Sequence, residues 1–169
     1  MDSLLMELTY EYVSKKTRFT WQELKYAIDR NFLPPGAAIE HALTLLSEDT
    51  NESSLIFELA SLYHDEPVHP YLDELAQLEP HQDVDTIKEK WLYLILDWLF
   101  TKKDQYSDPL GLIEQIYADF DYPENIATFV RYMPMDGPDL GSIELNQARL
   151  YKNWEKYLDE QSKRFSYAK

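Results

Sequence analysis

Apolar residues recur every three or four positions along almost the whole chain, from Trp21 to Leu158. This spacing places them on one face of an α-helix, because a helix completes a turn in about 3.6 residues. Runs that alternate apolar and polar residues, the signature of half-buried strands, are missing. The sequence therefore predicts an all-α fold of about seven to nine helices with short loops, a multi-helix bundle or a helical-hairpin array.

Local signals predict where several helices begin. Thr20 and Glu23 have the spacing of a capping box, in which each side chain accepts a hydrogen bond from the other residue's backbone N–H. Pro70 and Pro109 suit a first helical turn, where a missing N–H costs nothing. Asp121 is predicted to be the N-cap of a helix that runs through Val130.

The apolar stripes also predict where the core lies. One stripe runs through Leu62 and Tyr63 and the next through Leu78, so these side chains are expected to pack inward. The run from 91 to 100 is apolar on more than one face, which predicts a central, buried helix carrying Trp91, Leu94, Ile95 and Trp98. Asp97 interrupts this run, so its carboxylate must either lie on a solvent-exposed side of the helix or have a polar partner. The 169 residues fit a single domain spanning 1–169.

Charge is distributed very unevenly along the chain. The 31 Asp and Glu residues against 16 Lys and Arg give a net charge of −15. From Asn31 to Asp85 there are 12 acidic residues, all four histidines and no Lys or Arg. Such an excess disfavours nucleic acid and anionic lipid as partners, because phosphate binding needs clustered cations. The acidic excess is explained either by a role in keeping the protein soluble or by a basic protein partner. Acidic residues of this stretch expected to be exposed are Glu48, Asp49, Glu52, Asp65, Glu66, Asp73 and Glu74.

Aromatic and acidic residues alternate in the segment from Tyr117 to Pro123. Asp119 and Asp121, two positions apart, would form an acid–base pair if one of them were desolvated. Helix capping by Asp121 and an ion pair from Asp119 to Arg131 or Lys103 explain the same residues without catalysis. Arg131 has Asp119 and Asp97 as its candidate partners.

Tyrosine is abundant, with 13 residues. Tyrosine is enriched in the energetic centres of protein interfaces. Those outside the clear apolar stripes are Tyr10, Tyr12, Tyr26, Tyr106, Tyr122, Tyr132 and Tyr167. An acidic surface rich in tyrosine is therefore predicted to bind protein. The predicted contact residues are Asp65, Glu66, Asp73, Glu74, Asp119, Asp121, Tyr122, Arg131 and Tyr132.

Motifs for catalysis and for cofactors are missing from the sequence. There is no cysteine, no phosphate-binding glycine loop, no EF-hand loop and no nucleophile elbow. His64 and His69 lie five positions apart with Pro67 between them, so a zinc site there is the less favoured alternative to a solvated loop. We expect no catalytic residue, no metal and no cofactor. The first residues lack the basic region of a signal peptide, so a cytoplasmic location is expected.

Several strings together resemble an uncharacterised bacterial family, the domain of unknown function numbered 2247. The most specific are Tyr117-Ala-Asp-Phe-Asp-Tyr-Pro123 and Phe129-Val-Arg-Tyr-Met-Pro134. The resemblance covers roughly residues 18–160 and brings no catalytic residues. Small acidic bacterial families of this kind often accompany polymorphic toxins. The resemblance therefore implies an immunity-type role, the inhibition of a toxin.

These observations predict a non-enzymatic protein that binds another protein. The most concrete form is an immunity-type inhibitor whose acidic face occupies the basic cleft of a toxin. The alternative is a helical adaptor or regulator with a different partner. A carboxylate-based or metal-dependent enzyme that uses Asp119 and Asp121 is the third.

Overall fold

The computed structural model describes residues 8–48, 54–63, 65–135 and 137–165. These residues form eight α-helices and two 3-10 helices, and they contain no β-strand. More than half of them are helical, so the all-α prediction is confirmed. None of the described helices has the length and apolarity needed to cross a bilayer.

The chain forms two compact units, residues 2–87 and residues 88–169. The first, the N-terminal unit, contains α1 (Tyr10–Ser14), α2 (Trp21–Asp29), α3 (Gly36–Ser47), α4 (Ser54–Ala60), α5 (His69–Leu78) and the first turn of α6 (Val84–Lys102). The second, the C-terminal unit, contains the rest of α6, a 3-10 helix (Lys103–Gln105), α7 (Pro109–Asp119), a second 3-10 helix (Glu124–Phe129) and α8 (Ile143–Phe165). The single domain over 1–169 stays a prediction.

The N-terminus of α2 is fixed by a polar network within the N-terminal unit. The capping box is present as predicted: Glu23 N–H donates to Thr20 Oγ1 at 3.1 Å, and Thr20 N–H donates to Glu23 Oε1 at 3.0 Å. The carboxylate of Glu79 accepts from the backbone N–H groups of Trp21 and Gln22 at 2.8 and 3.0 Å. These bonds satisfy the free N–H groups that every helix leaves at its start. They also tie the segment after α5 to α2.

The central part of α6 is buried as the sequence predicts. Trp91 and Leu94 are fully buried, and Ile95 and Trp98 keep no more than 4% of their surface exposed. Asp97 is half-buried on the same helix. These side chains form the core of the C-terminal unit, together with Ile113, Ile116, Phe129 and Trp154.

Three expectations for the N-terminal unit are wrong. Helix α4 ends at Ala60, so Tyr63 lies beyond it and is 75% exposed. Leu78 is the last residue of α5 and is 70% exposed, whereas Leu75 and Ala76 in the same turn are buried. Tyr10, considered above as a candidate interface tyrosine, is buried instead. Its hydroxyl lies 2.7 Å from Nδ1 of the buried His41.

Candidate functional site

Three tyrosines of the C-terminal unit meet in one cluster. Tyr117 lies on α7 and is buried, whereas Tyr122 and Tyr132 are each 58% exposed. The rings of Tyr117 and Tyr122 are 5.3 Å apart between centroids at an interplanar angle of 85°. The rings of Tyr117 and Tyr132 are 6.1 Å apart at 61°. Edge-to-face contacts of this kind are favourable for aromatic pairs, so a buried ring supports two exposed rings. We refer to these three residues as the tyrosine cluster.

The end of α7 positions Tyr122. Asp121 N–H donates to the carbonyl of Ala118 at 3.1 Å, and Tyr122 N–H donates to the carbonyl of Tyr117 at 2.7 Å. This pair of bonds defines a Schellman ending, which requires a left-handed residue just after the helix. Asp121 takes that conformation with φ of 64°, and Tyr122 follows with φ of 56°.

The predicted capping role of Asp121 is therefore wrong. The following element is a 3-10 helix that begins at Glu124, and Pro123 occupies its N-cap position. Asp121 instead ends the preceding helix. Aspartate tolerates the left-handed region better than most residues, because its short polar side chain can hydrogen-bond locally. Its carboxylate is exposed and lies 3.3 Å from Nζ of Lys88.

Arg131 anchors the chain next to Tyr132. Its Nη1 and Nη2 donate to the two carboxylate oxygens of Asp108 at 2.9 and 3.1 Å, and its Nε donates to Glu114 at 3.0 Å. The guanidinium holds the pKa of Asp108 below its usual range, and the two carboxylates raise the pKa of Arg131. The predicted partners, Asp119 and Asp97, are wrong, because Arg131 binds Asp108, the N-cap residue of α7, and Glu114 in its second turn.

The surroundings of the cluster are acidic. Between Lys103 and Arg131 the chain contains six acidic residues and no Lys or Arg. Asp119 and Asp121 are exposed, and Glu114 lies one turn before Tyr117 on α7. A cleft of about 690 Å³ lies beside the cluster. It is lined by residues that include Asp108, Glu114, Arg131 and Tyr132.

Five of the predicted contact residues lie in the C-terminal unit, namely Asp119, Asp121, Tyr122, Arg131 and Tyr132. Two further members, Asp108 and Glu114, were not among the predicted contact residues. Glu114 could have been found from its spacing, because residues three apart on a helix share a face with Tyr117. Asp108 could not, since its pairing with Arg131 depends on the tertiary fold.

The other four predicted contact residues lie in the N-terminal unit. Asp65, Glu66 and Glu74 are exposed, and Glu66 accepts a hydrogen bond of 2.7 Å from the backbone N–H of Tyr63. Asp73 is less exposed than expected: the residue is half-buried, although 49% of its side chain is exposed, and its carboxylate lies 2.8 Å from Nζ of Lys25. Glu48 is exposed as expected. Asp49, Glu52 and Tyr167 lie outside the described residues.

The structure describes three of the four histidines, His41, His69 and His81. His64, one half of the candidate zinc pair, lies outside the described residues, and His69 lies 3.6 Å from a carboxylate oxygen of Asp29. In the described residues no three His, Asp or Glu side chains converge as metal ligands do. His41 is buried against Tyr10 and Trp21.

Residues 10–162 match the model of one protein family, described as "Uncharacterized protein conserved in bacteria (DUF2247)". This is the family that the sequence resembles, and the match covers nearly the whole chain. No curated protein and no solved structure matches the chain.

Proposed function

Since the chain belongs to this family of uncharacterized bacterial proteins, we propose from its surface that it acts by binding another protein and catalyses no reaction. The binding surface is the tyrosine cluster with the carboxylates around it. One observation carries the proposal: Tyr122 and Tyr132 are mostly exposed although both are packed against the buried ring of Tyr117.

Exposed aromatic rings that are already ordered are well suited to binding. Tyrosine contributes a large contact area and a polar hydroxyl, and it dominates the energetic centres of many interfaces. A side chain whose position is fixed before binding loses little conformational entropy on association. Arg131, with three hydrogen bonds to Asp108 and Glu114, fixes the backbone beside Tyr132 in the same way.

The partner is a basic protein. The chain carries a net charge of −15, Asp121 directly precedes Tyr122, and Glu114 interacts electrostatically with Tyr132. In the N-terminal unit, Glu48, Glu58, Asp65 and Glu74 are exposed within a stretch that has no Lys or Arg. Exposed charges of one sign accelerate association with a partner of opposite charge.

The exposure of the two aspartates favours binding over catalysis. Asp119 and Asp121 are both exposed. When two carboxyl groups act as acid and base, one of them must be desolvated so that it holds its proton more tightly than the other. Neither carboxylate has that environment, and the side chain of Asp121 is 88% exposed.

The most specific version of the proposal is an immunity-type inhibitor of a bacterial toxin located in the cytoplasm. Toxins that cleave nucleic acid need basic clefts for phosphates, and such a cleft is complementary to an acidic, tyrosine-bearing surface. A helical adaptor or regulator would use the same surface on a different basic protein. A toxin gene next to the gene for this chain would favour inhibition over the adaptor.

The test is affinity capture with matched variants, followed by binding measurements on the captured protein. The wild type is compared with the double variant Tyr122→Ser/Tyr132→Ser and with Tyr63→Ser, which alters a tyrosine of the other unit that is 75% exposed. We expect the wild type and Tyr63→Ser to bind the same basic protein. The double variant should bind it at least ~10-fold more weakly. Equal binding by all three proteins would contradict the proposal.

A further inference from the structure

The arrangement of the three tyrosines has the features of a receptor for a positive charge. The face of an aromatic ring is negative and attracts cations within about 6 Å of its centre. In the tyrosine cluster, the rings of Tyr122 and Tyr132 stand at 85° and 61° to the ring of Tyr117. Tyr117 is buried, whereas Tyr122 and Tyr132 are each 58% exposed, so part of each of these two rings is open to solvent. A cation can stack on such an exposed ring.

We infer that the tyrosine cluster binds a cationic side chain, Lys or Arg, of the protein partner. This inference rests on the proposed function, because it names the chemical group of the partner that the cluster recognises. Tyr122 and Tyr132 supply the exposed rings, and Tyr117 supports them from below.

The charges beside the cluster favour a cation. Glu114 lies one helical turn before Tyr117, and it interacts electrostatically with the hydroxyl of Tyr132. Burial raises the pKa of Tyr132, and so do Tyr117, Tyr122 and Glu114. Two cations lie in this region among the described residues. Arg131 is paired with two carboxylates, Asp108 and Glu114, and Lys88 lies 3.3 Å from the carboxylate of Asp121. The charged groups beside the cluster therefore have a net negative charge, which attracts a cation.

The backbone at Tyr122 points to the same conclusion. Asp121 and Tyr122 both have positive φ, and neither is a glycine. Residues other than glycine are strained in this conformation, and strained positions of this kind cluster at active sites and ligand-binding sites. The left-handed conformation of Asp121 is explained by the helix ending, which needs one left-handed residue. The ending does not require a second one. The left-handed conformation of Tyr122 places its ring against Tyr117.

The experiment measures binding of small cations to the full chain by NMR, with the tyrosine rings labelled. The probes are N-acetyl-arginine methylamide, N-acetyl-lysine methylamide, choline, and the uncharged 3,3-dimethyl-1-butanol. We expect the arginine or lysine derivative to shift the ring signals of Tyr122 and Tyr132, and to bind at least ~5-fold more tightly than the uncharged probe. Equal binding of the uncharged probe would overturn the inference. A preference of ~10-fold or more for choline over both amino acid derivatives would also overturn it, because the site would then suit a free quaternary ammonium.

Two matched pairs of substitutions separate the ring from the hydroxyl. Tyr122→Phe/Tyr132→Phe keeps both aromatic faces, and Tyr122→Leu/Tyr132→Leu keeps apolar bulk without them. The Phe pair should bind the cationic probe within about threefold of the wild type, and the Leu pair ~5- to 25-fold more weakly. Circular dichroism checks that both variants are folded. If the Phe pair loses binding as fully as the Leu pair, the hydroxyls bind the ligand and the inference is wrong.

Failure of this inference can be told apart from failure of the proposed function. A protein partner that binds the wild type but not Tyr122→Ser/Tyr132→Ser supports the proposed function even if no cationic probe binds. A probe that binds only the wild type and the Phe pair supports the inference independently of any captured partner. A partner that binds the Leu pair and the wild type equally overturns the inference.

Discussion

The backbone N–H of Tyr122 donates a 2.7 Å hydrogen bond to the carbonyl oxygen of Tyr117, and the rings of the same two residues meet edge to face. The end of helix α7 therefore fixes both the backbone and the side chain of Tyr122. The geometry of the candidate surface depends on how this helix ends.

Replacement of Asp121 by glycine should stabilise the protein. Asp121 has a φ of 64°, and glycine is the preferred residue at this position of a Schellman ending. We expect Asp121→Gly to raise the free energy of unfolding by ~0.5–1 kcal/mol in urea titration. The matched control, Ala118→Gly, replaces an exposed alanine within the last turn of α7 and should lower it by ~0.5–1 kcal/mol. A loss of stability in both variants would contradict the proposed strain at Asp121.

Much of the fold could be predicted from the sequence because it depends on local patterns. The capping box of Thr20 and Glu23 involves residues three positions apart, and the buried stripe of α6 follows the helical period. The exposed positions of Tyr63 and Leu78 could not be predicted in this way. A periodic pattern can continue past the last hydrogen-bonded turn, and it does not show which apolar side chains at a helix end the rest of the fold leaves exposed.

The candidate site was predicted only in part, for a physical reason. The residues Tyr122, Arg131 and Tyr132 were identified from their types, but the role of Asp121 was wrong. Aspartate suits an N-cap and also tolerates the left-handed end of a helix, so the local sequence fits both. The bonds from Arg131 to Asp108 and Glu114 span 23 and 17 positions, and only the tertiary fold brings these groups together.

Loss of the Glu79 carboxylate should destabilise the N-terminal unit. Glu79 is half-buried and accepts hydrogen bonds from Trp21 N–H and Gln22 N–H at the start of α2. Glu79→Ala leaves two helix N–H groups without their partner, so we expect a loss of ~1–2 kcal/mol in the free energy of unfolding. Glu74→Ala removes an exposed carboxylate nearby and should change it by less than ~0.5 kcal/mol. Equal effects of the two substitutions would show that Glu79 does not cap α2.

Acid should weaken the fold through His41. Burial lowers the pKa of His41 from 6.5 to about 4, although Glu23 and a hydrogen bond to the backbone of Phe19 act in the opposite direction. Between these two pH values the unfolded chain binds a proton at this histidine and the folded chain does not. The contribution of His41 is therefore intact above pH 6.5, falls as the pH is lowered to about 4 and is constant below that; the loss is roughly 3 kcal/mol.

Urea titrations at several pH values measure this effect. The variant His41→Gln lacks the titrating group, so its free energy of unfolding should fall less between pH 6.5 and 4 than that of the wild type. His81→Gln alters an exposed histidine and should keep the wild-type slope. The same slope in His41→Gln and the wild type would mean that His41 is not held neutral by the fold.

The core of the C-terminal unit should depend strongly on Trp91. This side chain is fully buried on the central helix α6. Trp91→Ala leaves a large cavity, so we expect a loss of ~3–5 kcal/mol in the free energy of unfolding. The exposed Val84 on the same helix is the control, and Val84→Ala should cost less than ~0.5 kcal/mol. A loss below ~1 kcal/mol for Trp91→Ala would contradict the position of this helix at the core.

The most direct test of the proposed function is a stopped-flow measurement of association and dissociation rates with the captured partner, at two salt concentrations. Three proteins are compared: the wild type, Tyr122→Ser/Tyr132→Ser, and a variant with the exposed residues Glu48, Glu58, Asp65 and Glu74 neutralised. Asp73 is left intact because it pairs with Lys25. The tyrosine variant should dissociate at least ~10-fold faster with little change in association. The neutralised variant should associate several-fold more slowly than the wild type at low salt. The difference should shrink at high salt, because salt screens the attraction between charges that are more than ~10 Å apart at 0.1 M. Equal rates for all three proteins, independent of salt, would contradict binding through an acidic, tyrosine-bearing surface.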